Sequence, residues 1–258
     1  MKNAIFAASL ISIFATVSIQ DSVAEETEKF SLETGMNYNT GKYGGTQSTS
    51  IRYVPITGKY QGNSWILKLT VPYLQITGPD NVINGVGLTG ATTNASTIRS
   101  GLGDVIAAAT HNLYNGGSSG FMANLTGKIK FGTASSAQGL GTGKNDYALQ
   151  ADMYKVTGSL TNFGTFGYKK YGSPVGYTLN NVFYGTLGAS YKINPETSSG
   201  IMLNLGQKTT STGSFHVEVI AFANHQLDKT WKVQGYVLKG FTNSVPDFGA
   251  GVTLAHLF

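Results

Sequence analysis

From Phe30 to the end of the chain, apolar side chains return at every second position rather than every third or fourth. That is the spacing of extended strands with two chemically different faces. Phe30, Leu32, Met36 and Tyr38 fall on one side, and Ser31, Glu33, Gly35, Asn37 and Asn39 on the other. The pattern recurs with Trp65, Leu67, Leu69, Val71 and Tyr73 opposing Lys68 and Thr70. It returns with Phe121, Ala123, Leu125, Ile129 and Phe131 opposing Asn124, Thr126, Lys128 and Lys130. Tyr147 to Met153, Ile201 to Leu205 and Val217 to Ala221 repeat it.

Turn residues punctuate these runs at Gly58 to Asn63, Asn115 to Ser118, Asn194 to Thr197 and Asp228-Lys229, as hairpins require. Longer Gly/Ser/Thr/Asn-rich links lie between them: Thr77 to Gly101, Thr133 to Asn145 and Tyr171 to Asn180, with shorter ones at Thr40 to Thr46 and Thr242 to Asp247. Twelve strands result, at 30–39, 47–57, 64–76, 103–114, 120–132, 146–156, 161–170, 181–193, 199–210, 214–226, 231–241 and 248–258. Short and long connections alternate. A soluble sandwich or lectin buries its apolar faces against each other, whereas a transmembrane barrel turns them to lipid and its polar faces to the lumen. The even strand count, the strand lengths and the unequal connections favour the barrel. So do the aromatic residues near strand ends, among them Tyr38, Tyr53, Tyr60, Trp65, Tyr114 and Trp231, placed as interfacial girdles are.

The N-terminus changes the picture further. Lys2, the apolar stretch Ala4 to Ile19 and Ser22-Val23-Ala24 before Glu25 have the form of a secretory signal peptide. The expectation is residues 1–24 as a cleaved signal and 25–258 as one barrel domain in the outer membrane of a Gram-negative envelope, with both termini in the periplasm. Composition excludes several chemistries. With no Cys, there is no disulfide framework, thiolate nucleophile or Cys-ligated zinc. The charged residues are only 12% and the net charge of +5 comes in no basic run, which argues against nucleic acid. No cofactor, metal or catalytic residue is expected. The terminal segment Phe248 to Phe258 has Phe248, Val252, Leu254 and Phe258 on one face. It is similar to the C-terminal strand by which outer-membrane barrels engage their assembly machinery.

Several short motifs carry a more specific likeness. Gly101-Leu102-Gly103-Asp104, Lys128-Ile129-Lys130-Phe131-Gly132-Thr133, Gly139-Leu140-Gly141-Thr142-Gly143 leading to Asp146-Tyr147, and Val71-Pro72-Tyr73 resemble the outer-membrane transporters of the phenol meta-degradation pathway. That family tends to have a Pro-Thr-Gly turn where this chain reads Phe131-Gly132-Thr133-Ala134. The resemblance implies a barrel that passes small organic molecules, aromatic or hydrophobic ones included; the cargo itself does not transfer with the fold.

A charge on the lipid side at mid-depth costs about 2 to 4 kcal/mol, so charged side chains are expected inside. The lumen candidates are Arg52, Lys68, Lys128, Lys130, Lys208 and Lys232 against Glu33, Asp104, Asp152 and Glu218. Lys128 and Lys130 either form a basic constriction that favours anions, as charged rings do in pores, or pair with Asp104 or Asp152 and close the lumen. Tyr154, Tyr168, Tyr184 and Tyr236 are candidates for inward aromatic surface. The histidines His111, His216, His225 and His256 lie in no nucleophile or metal motif; His216 shares a face with Glu218. The expected function is a passive channel for small organic solutes, with outer-membrane lipids as surroundings. A structural or surface-interaction barrel and an outer-membrane hydrolase are the alternatives. The link Thr77 to Gly101 is open to three readings: lid, adhesive loop or flexible padding.

Overall fold

A computed structural model describes residues 29–258 except 80–81, 84–86, 89–95, 175 and 177. The expected signal segment, residues 1–24, lies outside the described residues. The strands are β1 (Lys29–Gly41), β2 (Thr49–Gln61), β3 (Trp65–Pro79), β4 (Val82–Ile83), β5 (Gly87–Leu88), β6 (Ser96–Leu102), β7 (Ile106–Asn115), β8 (Phe121–Lys130), β9 (Asp146–Thr157), β10 (Leu160–Lys170), β11 (Val182–Lys192), β12 (Thr197–Gly206), β13 (His216–Gln226), β14 (Trp231–Gly240) and β15 (Phe248–Leu257). β4 and β5 form a separate two-residue hairpin in the long link after β3.

All the other strands make one antiparallel sheet that closes on itself. β3 pairs along its first part with β7 and along its last part with β6, so β6 and β7 share one stave and the barrel has twelve. β1 pairs with β2 on one side and with β15 on the other, from Ser31↔Leu257 to Thr40↔Phe248. Closure leaves no strand edge apart from the outer side of the short β6, which pairs only with β3, and an edgeless sheet is the condition for crossing lipid.

Two of the expected boundaries that shift bear on what lines the barrel. β2 continues through Gly58 to Gln61, because Gly58 is the outer-face partner of Leu32 and Leu69 and the turn shrinks to the residues bridged by the Gly62 N–H to Trp65 carbonyl bond (2.8 Å). β3 runs to Pro79 and pairs with Ser96 to Leu102, so the link read as Thr77 to Gly101 loses strand at both ends. Ile98 and Leu102 take the outer face there, a pattern masked in sequence by Ser100 at the outer position between them. The choice between lid, adhesive loop and padding falls mainly on residues outside those described.

The connections at one end are short: β2–β3, β7–β8, β9–β10, β11–β12 and β13–β14. Those at the other end are longer, and outer-membrane barrels place such loops outside the cell. A ring of aromatic contacts circles the short-turn end. It includes Phe30 with Tyr60 (5.7 Å), Trp65 with His111 (4.5 Å), Tyr114 with Phe121 (5.9 Å) and Trp231 with His256 (4.5 Å). Phe166, Tyr168 and Phe183 cluster on the outer face nearer the other end. Between the two, Leu67, Leu69, Ile129, Leu149, Leu187, Ile201 and Val252 stand exposed on the outer wall. Solvated, such a surface would aggregate; in a bilayer it is the belt that holds the barrel.

The β13–β14 turn shows how local chemistry sets register. The Asp228 carboxylate accepts bonds from the backbone N–H of Thr230 and Trp231 and from the Thr230 hydroxyl, all 2.8 to 2.9 Å. These bonds hold its pKa below the ordinary carboxylate value. A group depressed in the folded state stabilises above its unfolded pKa, about 3.9, and loses that contribution as pH falls through its folded value. Asp228→Ala is therefore expected to lower the urea midpoint at pH 7. The gap to the parent protein should narrow below about pH 4. Gel mobility and tryptophan fluorescence in detergent check both.

Candidate functional site

Alternation assigns each strand an inner face, and register lines those faces up across the barrel. Lys68, Lys128, Lys130, Asp152, Tyr184, His216 and Glu218 all sit on inner-face positions. Asp104 occupies the break between β6 and β7. Arg52 does not belong with them. It is exposed, opposite Tyr38 and Gln75 on the outer face, and its Nη1 donates to Gln75 Oε1 at 2.6 Å. The reason is local: its neighbours Ile51 and Tyr53 take the inner positions. Near a barrel rim an outward Arg costs only about 0 to 1 kcal/mol. Lys208 is likewise displaced, to an exposed loop where its Nζ donates to the Ser211 carbonyl. Of the four tyrosines, Tyr154, Tyr184 and Tyr236 face inward, while Tyr168 packs outward on Phe183 (5.0 Å).

Lys130 is committed to acids. Its Nζ lies 2.6 Å from Asp104 and 3.4 Å from Asp146, and Asp146 also pairs with Lys169 at 3.5 Å. Asp152 accepts from Thr126, Gln150 and Thr165 at 3.1, 2.7 and 2.6 Å. Glu218 accepts from Asn204. Among the described residues, Lys59 and Lys128 make no ion pair within 4 Å. The acids are thus mostly held to the wall by hydroxyls, amides and Lys130, while two inward lysines carry charge without a fixed partner.

At the long-loop end a loop folds inward. Leu140 (1% exposed) and Ala134 of residues 131–145 pack with Tyr43 on the inner-face residues Ile51, Leu74 and Ile76. Burial pushes the Tyr43 hydroxyl up in pKa, keeping it protonated. Asp104 fastens this loop: its carboxylate accepts from the Ala134 N–H at 2.9 Å as well as from Lys130. The Val105 N–H donates to Thr133 Oγ1, which donates in turn to the Gly103 carbonyl. Gly101 and Gly141 allow the approach, since a Cβ at the first would meet Leu140 and at the second Ala134 and Asp104. The two glycine motifs seen in the sequence are therefore the two sides of one contact. Gly101 to Asp104 ends β6 rather than opening a strand.

The opposite wall is apolar. Phe163, Met202, Ile220, Phe222 and Leu238 are buried together on the inner faces of β10, β12, β13 and β14, with the half-buried Tyr154 and Tyr236 packed against them. The large rings here lie over glycines on the neighbouring strand: Tyr184 over Gly167, Phe163 over Gly188, Phe222 over Gly200 and Tyr236 over Gly251. A ring lying along the wall presents surface without filling the lumen. Sequence reading missed this wall because these strands are apolar on both faces, as at Ile201-Met202-Leu203. Lys59 was hidden inside an expected turn. Lys169 was hidden by the inward assignment of Tyr168, since the two neighbours take opposite faces.

The histidines do not converge. His111 and His256 pack against outer-face tryptophans and His225 bonds outer-face Thr197 at 2.8 Å, leaving His216 inside. Loop fastening is open to test. Asp104→Ala removes the acceptor for both Lys130 and the Ala134 N–H, and is expected to raise single-channel conductance and open-channel noise in a planar bilayer. Unchanged traces from folded protein would show that residues 131–145 do not limit passage.

Comparison with known proteins agrees with this architecture. Residues 34–258 match the family model described as the MetA-pathway of phenol degradation. Among solved structures the chain is similar to the KdgM porin, with a TM-score of 0.54 and 13% identity, covering 88% of this chain and 98% of that one. Lesser likenesses are to Salmonella typhi OmpF in complex with daunomycin (TM-score 0.43, 9% identity, 90% and 97% covered) and to an anion-selective porin from Comamonas acidovorans (TM-score 0.42, 12% identity, 90% and 99% covered). No curated protein sequence matches the chain. The fold shared with the KdgM porin is that of an outer-membrane barrel, and by its match over residues 34–258 the chain belongs to the MetA-pathway phenol-degradation family.

Proposed function

We propose that this barrel is a passive outer-membrane channel for small organic molecules, aromatic ones among them. The observation that carries the reading is the mixed inner wall. Barrel interiors of pores are generally polar, and this one carries an apolar cluster faced by Tyr154 and Tyr236. Pockets for small organic ligands combine such apolar surface with a few polar groups. Here hydroxyls and amides, including Thr57 with Thr70 (2.8 Å) and Thr186 with Asn204 (2.7 Å), share the lumen with it. A solute with a flat apolar body loses little on leaving water along such a wall, whereas a sugar of equal size gains nothing from it. Polar wall groups held by one another, as in these pairs, keep the lumen wettable without binding tightly.

The test uses refolded protein in planar bilayers and in liposomes. The expected result is a steady small conductance that falls when benzyl alcohol is added, with benzyl alcohol entering liposomes faster through the protein than a pentose does. Tyr236→Ser should reduce that preference several-fold. Silence from protein shown by gel mobility to be folded overturns the channel reading, and equal entry of both solutes removes the aromatic part of it.

A further inference from the structure

Register puts four inward lysines on one continuous row of cross-strand partners. Lys59 on β2 faces Lys68 on β3; Lys68 faces Ala108 on β7, and Ala108 faces Lys128 on β8. Lys128 faces Ala148 on β9, and Ala148 faces Lys169 on β10. Only lysines and small alanines occupy these six places. Strands lie about 4.8 Å apart, so the row is about 24 Å long by that spacing. Because strands tilt at about 35 to 45° in a barrel, a row at right angles to them climbs. Lys59 lies near the short-turn end of β2, and Lys169 is the next-to-last residue of β10 at the long-loop end. The row is thus a ramp between the two mouths.

Placing Lys59 directly opposite Lys68 is unfavourable for a sheet, since like charges face each other across a strand pair. Of the lumen acids, Glu33 on β1, buried two places along from Lys59's partner Ser31, is the one left to relieve the lower end of the row; the others are engaged elsewhere. Asp104 and Asp146 hold Lys130, Asp146 also holds Lys169, and Asp152 is bonded by three neighbours. Among the described residues, Lys59 and Lys128 have no ion pair, and both remain partly exposed to the lumen. In ring order β3 stands opposite β12 and β8 opposite β14. The strands that carry Lys68 and Lys128 therefore face those that carry Met202, Tyr236 and Leu238.

We infer that the preferred cargo is an organic anion with an apolar body, such as an aromatic carboxylate, whose charge is passed along Lys59, Lys68, Lys128 and Lys169 while its body moves against the tyrosine-faced wall. Spaced cations suit transport because each binds weakly enough to release the anion to the next. The inference rests on the channel reading above.

The experiment compares benzoate with benzyl alcohol in liposome entry and measures reversal potential in asymmetric KCl, using the full barrel and the variants Lys59→Gln and Lys128→Gln. Lys229→Gln, in the β13–β14 turn, is the control. The expected result is a chloride-favouring reversal potential and entry of benzoate at least several-fold faster than benzyl alcohol. Each lumen variant should shrink both effects while leaving benzyl alcohol entry and the control unchanged. The two variants stand on different strands, so a folding failure in one leaves the other decisive. Zero reversal potential with equal entry of both solutes overturns the lysine ramp and leaves the channel standing. Entry of neither solute through folded protein overturns both.

Discussion

A bilayer offers nothing to a backbone N–H or C=O, and every other feature of this molecule follows from that refusal. A sheet that crosses it must have no edge, so β1 has to find β15, which it does along ten successive partners from Ser31↔Leu257 to Thr40↔Phe248. A closed sheet cannot keep its strands upright; they tilt and their register staggers. Tilt turns each line of cross-strand partners into a spiral stripe. The order of chemistry around the lumen is therefore set by pairings many residues apart in sequence, such as Lys68 with Ala108 and then Lys128.

The same refusal sorts charge. Lysines and acids are driven off the middle of the outer wall, and those inside reach two arrangements. Lys130, Asp104 and Asp146 knit a strand break to a loop, and the geometry there is that of a fastening. Lys59 and Lys128 sit apart from that network on the climbing row. Apolar residues show a parallel division: most face lipid, but Ile51, Leu74 and Ile76 turn inward beneath Leu140, and Phe163, Ile220 and Phe222 build a wall inside the barrel.

Much of the fold was legible because the hydrophobic period is a direct image of a wall with lipid on one side. Twelve strands, their antiparallel order and the placement of Lys68, Lys128 and Asp152 follow from alternation and turn residues alone. Arg52 was misread for an instructive reason. Its assignment assumed that charge always faces the lumen, but near the rim the penalty for facing outward fades, and the apolar Ile51 and Tyr53 claimed the inner positions under the loop. Lys59 was lost because Gly58 looked like a turn, although a glycine between Leu32 and Leu69 simply leaves open space on the outer wall. The inner apolar wall was hidden because the alternation at Ile201 to Leu205 and Val217 to Ala221 marks the lipid face, while Met202, Ile220 and Phe222 place apolar residues on the inner face as well. The lysine row was invisible for a deeper reason: no single strand contains it, and only the register between strands brings it into line.

The glycines under Tyr184, Phe163, Phe222 and Tyr236 bear on how such a molecule diversifies. Each ring is seated on a hydrogen atom, so the bore of the tube is adjustable from behind its lining. A methyl at one of these seats lifts one ring toward the axis and changes neither the charge order inside nor the belt outside. Calibre and selectivity can then drift independently over generations, and relatives that share this lysine order could admit solutes of quite different girth.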